Sequence, residues 1–191
     1  MDDISRISAF MLEMDRLKGV LRKTRPLAVD RRENSAEHSW QVALLATMLA
    51  SYSTQSIDVA RAVEILLVHD VPEIVIGDVI VYADEDPERQ QAEARAARDL
   101  FGMLPEPHAT RCFDLWLEYE QRETPESRYA YAIDRLMPIL HNLQQGGGTW
   151  REYGIELEQV LAINAVTGNA LPEVWDQVRA RVTVCFEEMA S

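Results

Sequence analysis

The feature that most limits the fold of this chain is periodicity. Apolar residues recur every three or four positions along nearly the whole sequence, and no long stretch alternates apolar with polar. A three-to-four spacing lines up side chains on one face of a helix, whereas a half-buried strand repeats every second residue. The pattern therefore predicts an all-α protein. At 191 residues the chain can bury a core of its own, and it shows no repeat, linker or low-complexity tract, so one helical domain over 1–191 is expected.

Prolines, glycines and capping residues divide the pattern. A first helix is predicted over 4–20. Asn34 with Glu37 three residues on reads as a capping box. The helix it opens is expected to present Trp40, Ala43, Leu44, Thr47 and Met48 to the core. Ser56 or Asp58 opens a third helix, whose apolar run leads into His69-Asp70. Pro72 cannot continue that helix without losing a backbone bond, so it begins a short turn or helix.

The stretch 74–84, IVIGDVIVYAD, is rich in β-branched residues but has no partner strand elsewhere, so a short helix and loop is predicted. Pro87 opens a polar helix ending near Gly102, and Pro107 or Ala109 begins another through Trp116 and Tyr119. Thr124-Pro125 supplies a cap and a first-turn proline. The long helix that follows carries Tyr129, Ala132, Ile133, Leu136, Ile139 and Leu140 until Gly146, Gly147 and Gly148 release the chain, GGGTW reading as a helix-terminating loop. Two more helices, within 149–190 and separated near Gly168 and Pro172, complete the expected bundle.

Composition narrows the partners. The net charge is −13, which repels a polyanion and argues against a nucleic-acid partner. The distribution is uneven: the segment 16–32 carries Arg16, Lys18, Arg22, Lys23, Arg25, Arg31 and Arg32 against Asp30, a local +6 beside −19 for the remainder. Such a segment can receive a small anion, or it can be a set of ordinary solvated side chains. No uncharged apolar run approaches the roughly 20 residues that span a bilayer, and the N-terminal stretch has no apolar signal region, so no membrane partner and a cytoplasmic location are expected. Cys112 and Cys185 stand alone and predict neither a disulfide nor a zinc ribbon.

The chemistry concentrates around two of the four histidines. Glu37-His38 and His69-Asp70 both sit in apolar helical surroundings, where acids and imidazoles are costly unless paired or bound to a metal. A single histidine in such a place is ordinarily a satisfied structural one. An adjacent His-Asp at a helix end weakens that reading, because side chains about 100° apart converge on one ion only where the helix is finishing. Asp134, in the apolar context YAIDRLMPIL, needs a partner, and a cation is the natural one.

The strings ENSAEHSWQVA, LLVHDVPEIVIGD and YAIDRLMPIL resemble the three motifs of HD-domain hydrolases, with the spacing of the HD-domain 5′-deoxynucleotidases. The likeness spans about 17–142. It implies a helical bundle of the HD-domain type, often a homodimer, in which His38, His69, Asp70 and Asp134 ligate one divalent metal ion. Two imidazoles with two carboxylates suit manganese, cobalt, nickel, iron or zinc. Binuclear members use further histidines. Here only His108 and His141 remain, the first read as a surface loop residue and the second as capping or packing its helix.

The resemblance also assigns roles beyond the metal. It implies that Glu73 stands beside the attacking water and Asp78 close to the reacting phosphate, the two sharing the proton transfers of ester hydrolysis. Read singly, Glu73 is also a first-turn acid that suits a helix dipole, and Asp78 a turn residue after glycine. Arg22 matches an arginine that grips the substrate phosphate, a role suited to the guanidinium fork. Lys23 is predicted to contact substrate as well, but the 5′-deoxynucleotidases carry tryptophan there. The activity implied is hydrolysis of a phosphate monoester, a nucleoside 5′-monophosphate above all. Alternatives are a phosphodiesterase or pyrophosphohydrolase acting on another nucleotide, and a regulatory module that binds metal and nucleotide without turnover.

Overall fold

Helix α1 (Asp3–Met14) starts where the Asp2 side chain accepts from the Ser5 N–H, and it tightens into a 3₁₀ turn over Asp15–Gly19. The predicted single helix over 4–20 thus ends its α-geometry early, as helix ends commonly do. The computed structural model describes residues 2–82 and 86–190. Ala83 and Asp84, the last residues of the predicted helix-and-loop stretch, lie outside the described residues.

Two short segments then run antiparallel. Leu21 bridges Asn34, the Arg22 N–H donates to the Glu33 carbonyl at 2.8 Å, and the Glu33 N–H donates to the Thr24 carbonyl at 3.0 Å. This clasp brings the basic segment back to the start of α2 (Ser35–Leu49), where Asn34 and Glu37 form the predicted capping box. α3 (Val59–Val68) opens at Asp58 and ends with His69 as its C-cap. A single turn, α4 (Glu73–Ile76), follows Pro72, and Gly77 closes it at φ 73°, a left-handed backbone that suits glycine. α5 (Pro87–Phe101), α6 (His108–Gln121) and α7 (Pro125–Gln144) follow, the last with a Thr124 capping box and its first-turn proline.

The C-terminal part corrects two expectations. Four helices stand where two were predicted: α8 (Gly148–Tyr153), α9 (Leu157–Ile163), α10 (Ala165–Ala170) and α11 (Pro172–Ala190). GGGTW is not only a terminating loop, because its last three residues open α8. The short helices escape a periodicity argument, since six or seven residues complete too few turns to show a face.

Among the described residues the elements are helices and turns, with no strand ladder beyond the single bridge. α2 packs on α3, α3 on α6 and α7, and α7 on α10. Three apolar clusters form the interior; Val68 links the first to the second, and Leu45 and Leu140 link it to the third.

The predicted core face of α2 holds at Ala43, which is buried, and fails at the other four positions. Trp40 is 63% exposed, Met48 61% and Leu44 41%, and Thr47 also faces outward. The buried face is His38, Ser39, Val42, Ala43 and Ala46. Apolar residues run around this helix, so the sequence gives its pattern no phase. The small residues turn inward because they let neighbouring helices approach closely.

Candidate metal centre

Three helices bring their chemistry to one place. His38 lies in the first turn of α2, His69 and Asp70 where α3 finishes, and Asp134 in the middle of α7, all buried. His38 Nε2 is 2.8 Å from Asp134 Oδ1, and His69 Nε2 is 3.6 Å from the same oxygen and 3.1 Å from Asp70 Oδ1. The ligating atoms of His38, His69 and Asp134 all lie within 4.8 Å of one another, a group that could hold a metal ion. Asp70 adjoins this group, but its Oδ2 accepts from Arg22 Nη1 at 2.8 Å.

The donor chemistry fits a divalent cation. The His69 Nδ1–H donates to the Leu66 carbonyl at 2.7 Å, which turns Nε2 toward Asp70 and Asp134 as the atom a cation would take, buried and without a hydrogen-bond partner. That arrangement, one ring nitrogen held by a backbone acceptor and the other free, is how metal-ligating imidazoles are usually oriented. The Tyr119 hydroxyl donates to Asp134 Oδ2 at 2.8 Å and fixes the carboxylate. Pro138 lies inside α7 one turn beyond, so the Asp134 carbonyl has no helical N–H to accept from.

The electrostatics follow from burying so many charges together. Burial alone would lower the pKa of His69, but the carboxylates of Asp70 and Asp134 outweigh it and raise the value to about 9. Burial works against an ionised Asp134 as well, yet hydrogen bonding with His38 and His69 holds it well below the usual carboxylate range. Glu73 goes the other way. Burial, reinforced by the charge of Asp70, pushes it up to about 8, while the Ser35 hydroxyl donates to its Oε2 at 2.6 Å. Burial also raises Asp78, whose Oδ2 has no hydrogen-bond partner.

Arg22 stretches across these acids. Besides Asp70 it reaches Asp78 at 4.0 Å, Asp134 at 4.0 Å and Glu33 at 3.3 Å. Arg22, Lys23, His69, Asp70, Glu73 and Asp78 all border one cavity of about 280 Å³. Of the seven bases in the positive segment only Arg22 and Lys23 reach this cavity. Arg16, Lys18, Arg31 and Arg32 pair with Glu13, Asp15, Glu37 and Glu152. For those four the bland reading of the +6 segment is the right one.

His108 is exposed, although it opens α6 and does not sit in a loop. His141 packs in the interior, its Nδ1 3.8 Å from Glu33 Oε1. Glu33 is the functional candidate that the sequence reading missed. It is 1% exposed and accepts from the Thr24 hydroxyl at 2.6 Å. Burial would raise its pKa, but His38, Arg22 and Thr24 hold it at about 2. In RRENS it reads as one more counter-charge in a surface turn. Tyr119 was legible only as a helix-face residue, and Arg135, which borders the cavity with its Nε 3.7 Å from Asp134 Oδ2, carried no separate signal.

Comparison with known proteins gives this geometry a context. The model of the HD domain family matches residues 14–175. A 5′-deoxynucleotidase of Yersinia pestis is 30% identical over 169 residues, 82% of this chain and 85% of that protein. The 5′-deoxynucleotidases HDDC2 of Xenopus laevis and Homo sapiens are each 30% identical, over 118 and 114 residues, and the chain spans just over half the length of each, 57% and 54%. Among solved structures, a predicted metal-dependent phosphohydrolase of Magnetospirillum magnetotacticum MS-1 superposes with a TM-score of 0.90 at 36% identity, covering 97% of this chain and 96% of that one. The match over residues 14–175, a range that includes His38, His69-Asp70 and Asp134, means that this protein belongs to the HD-domain family.

Proposed function

We propose that the protein is a metal-dependent phosphohydrolase that cleaves a phosphate monoester, most readily a nucleoside 5′-monophosphate. The observation that carries this reading is a buried His-His-Asp group whose His69 and Asp134 border one cavity together with an arginine and two acids with raised pKa values. The similarity to 5′-deoxynucleotidases of 30% identity supports the nucleotide class.

In this reading His38, His69, Asp70 and Asp134 hold one divalent ion. A divalent ion bound there would supply a water of lowered pKa and offset phosphoryl charge. Arg22 leaves its pairing with Asp70 to take the phosphate oxygens in a two-pronged grip, and Lys23 adds a second positive charge at the mouth. Glu73, with a pKa of about 8, can accept or return a proton near neutral pH. Asp78 stands within 4.0 Å of the same arginine and so at the edge of the phosphate position. Two acids beside the cation have little use in a module that only binds, which favours turnover. The homodimer and cytoplasmic expectations belong to the same proposal.

The test is phosphate release by manganese- or cobalt-loaded protein across a panel of nucleoside monophosphates, sugar phosphates, cyclic nucleotides and pyrophosphorylated nucleotides. Release from the monophosphates is expected. Cleavage confined to cyclic or pyrophosphate bonds would replace the proposal with the phosphodiesterase reading, and binding without release would replace it with the regulatory one.

A further inference from the structure

The two imidazoles of the metal group face different chemistry behind them. His69 follows the end of α3, where the last carbonyls of a helix lack N–H partners, and one of these, from Leu66, takes its Nδ1–H. His38 lies in the first turn of α2, and the start of a helix offers spare donors and no spare carbonyls. The His38 Nδ1 is buried and makes no hydrogen bond. What faces it is the carboxylate of Glu33, Oε2 at 3.6 Å, within the reach of a small side-chain shift.

We propose that Glu33 is a positioning residue shared by the metal centre and the phosphate-binding arm: it holds the His38 proton on Nδ1, leaving Nε2 to the cation, and braces the Arg22 guanidinium. The proposal rests on the metal-centre reading above.

Three observations converge on it. Glu33 Oε2 is 3.3 Å from Arg22 Nε, an atom that is buried and otherwise unpartnered, so one carboxylate oxygen serves both sides of the site. The backbone clasp fixes this pairing, because Arg22 and Glu33 are tied by the 2.8 Å bond between the Arg22 N–H and the Glu33 carbonyl. The Thr24 hydroxyl, at 2.6 Å, orients the carboxylate. A buried imidazole N–H left without an acceptor is costly, so closing the gap to Glu33 is favoured once Nε2 is committed to a cation.

The experiment compares wild type, Glu33→Gln and Glu33→Ala, with Glu37→Gln as a control for a nearby acid in the half-buried capping box. After stripping with a chelator, cobalt(II) affinity is measured by competition with a chromophoric chelator, and KM and kcat are measured at saturating cobalt. Glu33→Gln keeps an acceptor of the same shape without the charge and should bind cobalt about tenfold more weakly, and Glu33→Ala up to about 100-fold more weakly. Both should raise KM at saturating cobalt, because the arginine has lost its brace. Glu37→Gln should change affinity less than twofold. Wild-type cobalt affinity in Glu33→Gln overturns the proposal even if Glu33→Ala does not fold. A rise in KM without weaker cobalt binding also overturns it, since the carboxylate would then act on Arg22 alone. Wild-type protein that takes up no cobalt sinks this proposal together with the metal centre, whereas wild-type binding with an unaffected Gln variant sinks this one only.

Discussion

His38 Nε2 and Asp134 Oδ1 lie 2.8 Å apart although 96 positions separate them in the chain. The contact joins the first turn of α2 to the middle of α7, and no local sequence rule connects the two. It makes the centre a test of the fold as well as of the chemistry.

Replacing Asp134 by Ala should remove both metal and turnover, because it deletes an oxygen shared by two imidazoles. Elemental analysis and phosphate release check this, with circular dichroism to show that helix content is kept. Retention of one metal per chain would exclude Asp134 as a ligand.

Glu73→Gln should keep the metal and lower kcat by roughly 100-fold or more, as expected when a proton-transfer group is lost. The Ser35 hydroxyl holds that carboxylate at 2.6 Å, so Ser35→Ala should give a smaller loss of the same kind. If Glu73→Gln protein arrives without metal, the role given to Glu73 is wrong.

Arg22→Ala should raise KM by a factor corresponding to about 1.5–3 kcal/mol, the range for a hydrogen bond to a charged group. The resemblance implies that Lys23 replaces a tryptophan that helps 5′-deoxynucleotidases sense the sugar, and an ammonium on a flexible stem makes no flat wall against a missing 2′-hydroxyl. Ribo- and deoxyribonucleoside monophosphates should therefore differ by less than about tenfold in kcat/KM. A strong deoxy preference on one metal-loaded preparation would show that another residue reads the sugar.

Metal affinity should rise with pH. The pKa of His69 is raised from 6.5 to about 9, and the cation takes the neutral ring, so below pH 9 binding must expel a proton. The chelator-treated protein should behave in the opposite sense. A raised folded-state pKa gives stability that is complete below the unfolded value and is lost as pH rises through the folded one. For His69 that window is 6.5 to about 9, and for Glu73 it is 4.5 to about 8. Thermal unfolding with chelator should show Tm falling across these ranges, and a flat profile would contradict both shifts.

The two faces of α2 and α3 should respond unequally. Ile65 is fully buried, and Ile65→Ala should cost about 2–5 kcal/mol. Trp40→Ser should stay within about 0.5 kcal/mol of wild type, since the ring is 63% exposed. Denaturant unfolding measures both. A loss above about 2 kcal/mol at Trp40 would mean that the outer face of α2 is covered in solution.

Much was legible in the sequence because it is written locally. The capping box at Asn34, the cap at Thr124 with its first-turn proline, the stop at Pro72 and the 3.6-residue period of α7 depend on neighbours a few positions away, and they determined the helices that carry the site. His69-Asp70 at a helix end is likewise a local signal. The tertiary structure alone decided the rest. Which side of α2 turned inward depended on how closely α3 and α7 could approach, so Val42 and Ala46 went in and Trp40 stayed out. Whether Glu33 was a surface counter-charge or a buried carboxylate depended on a backbone clasp that sets it behind His38 and beside Arg22. The pKa values of Glu73 and His69 depended on the same convergence, because desolvation and charge act across space and a linear sequence does not record which groups will share it.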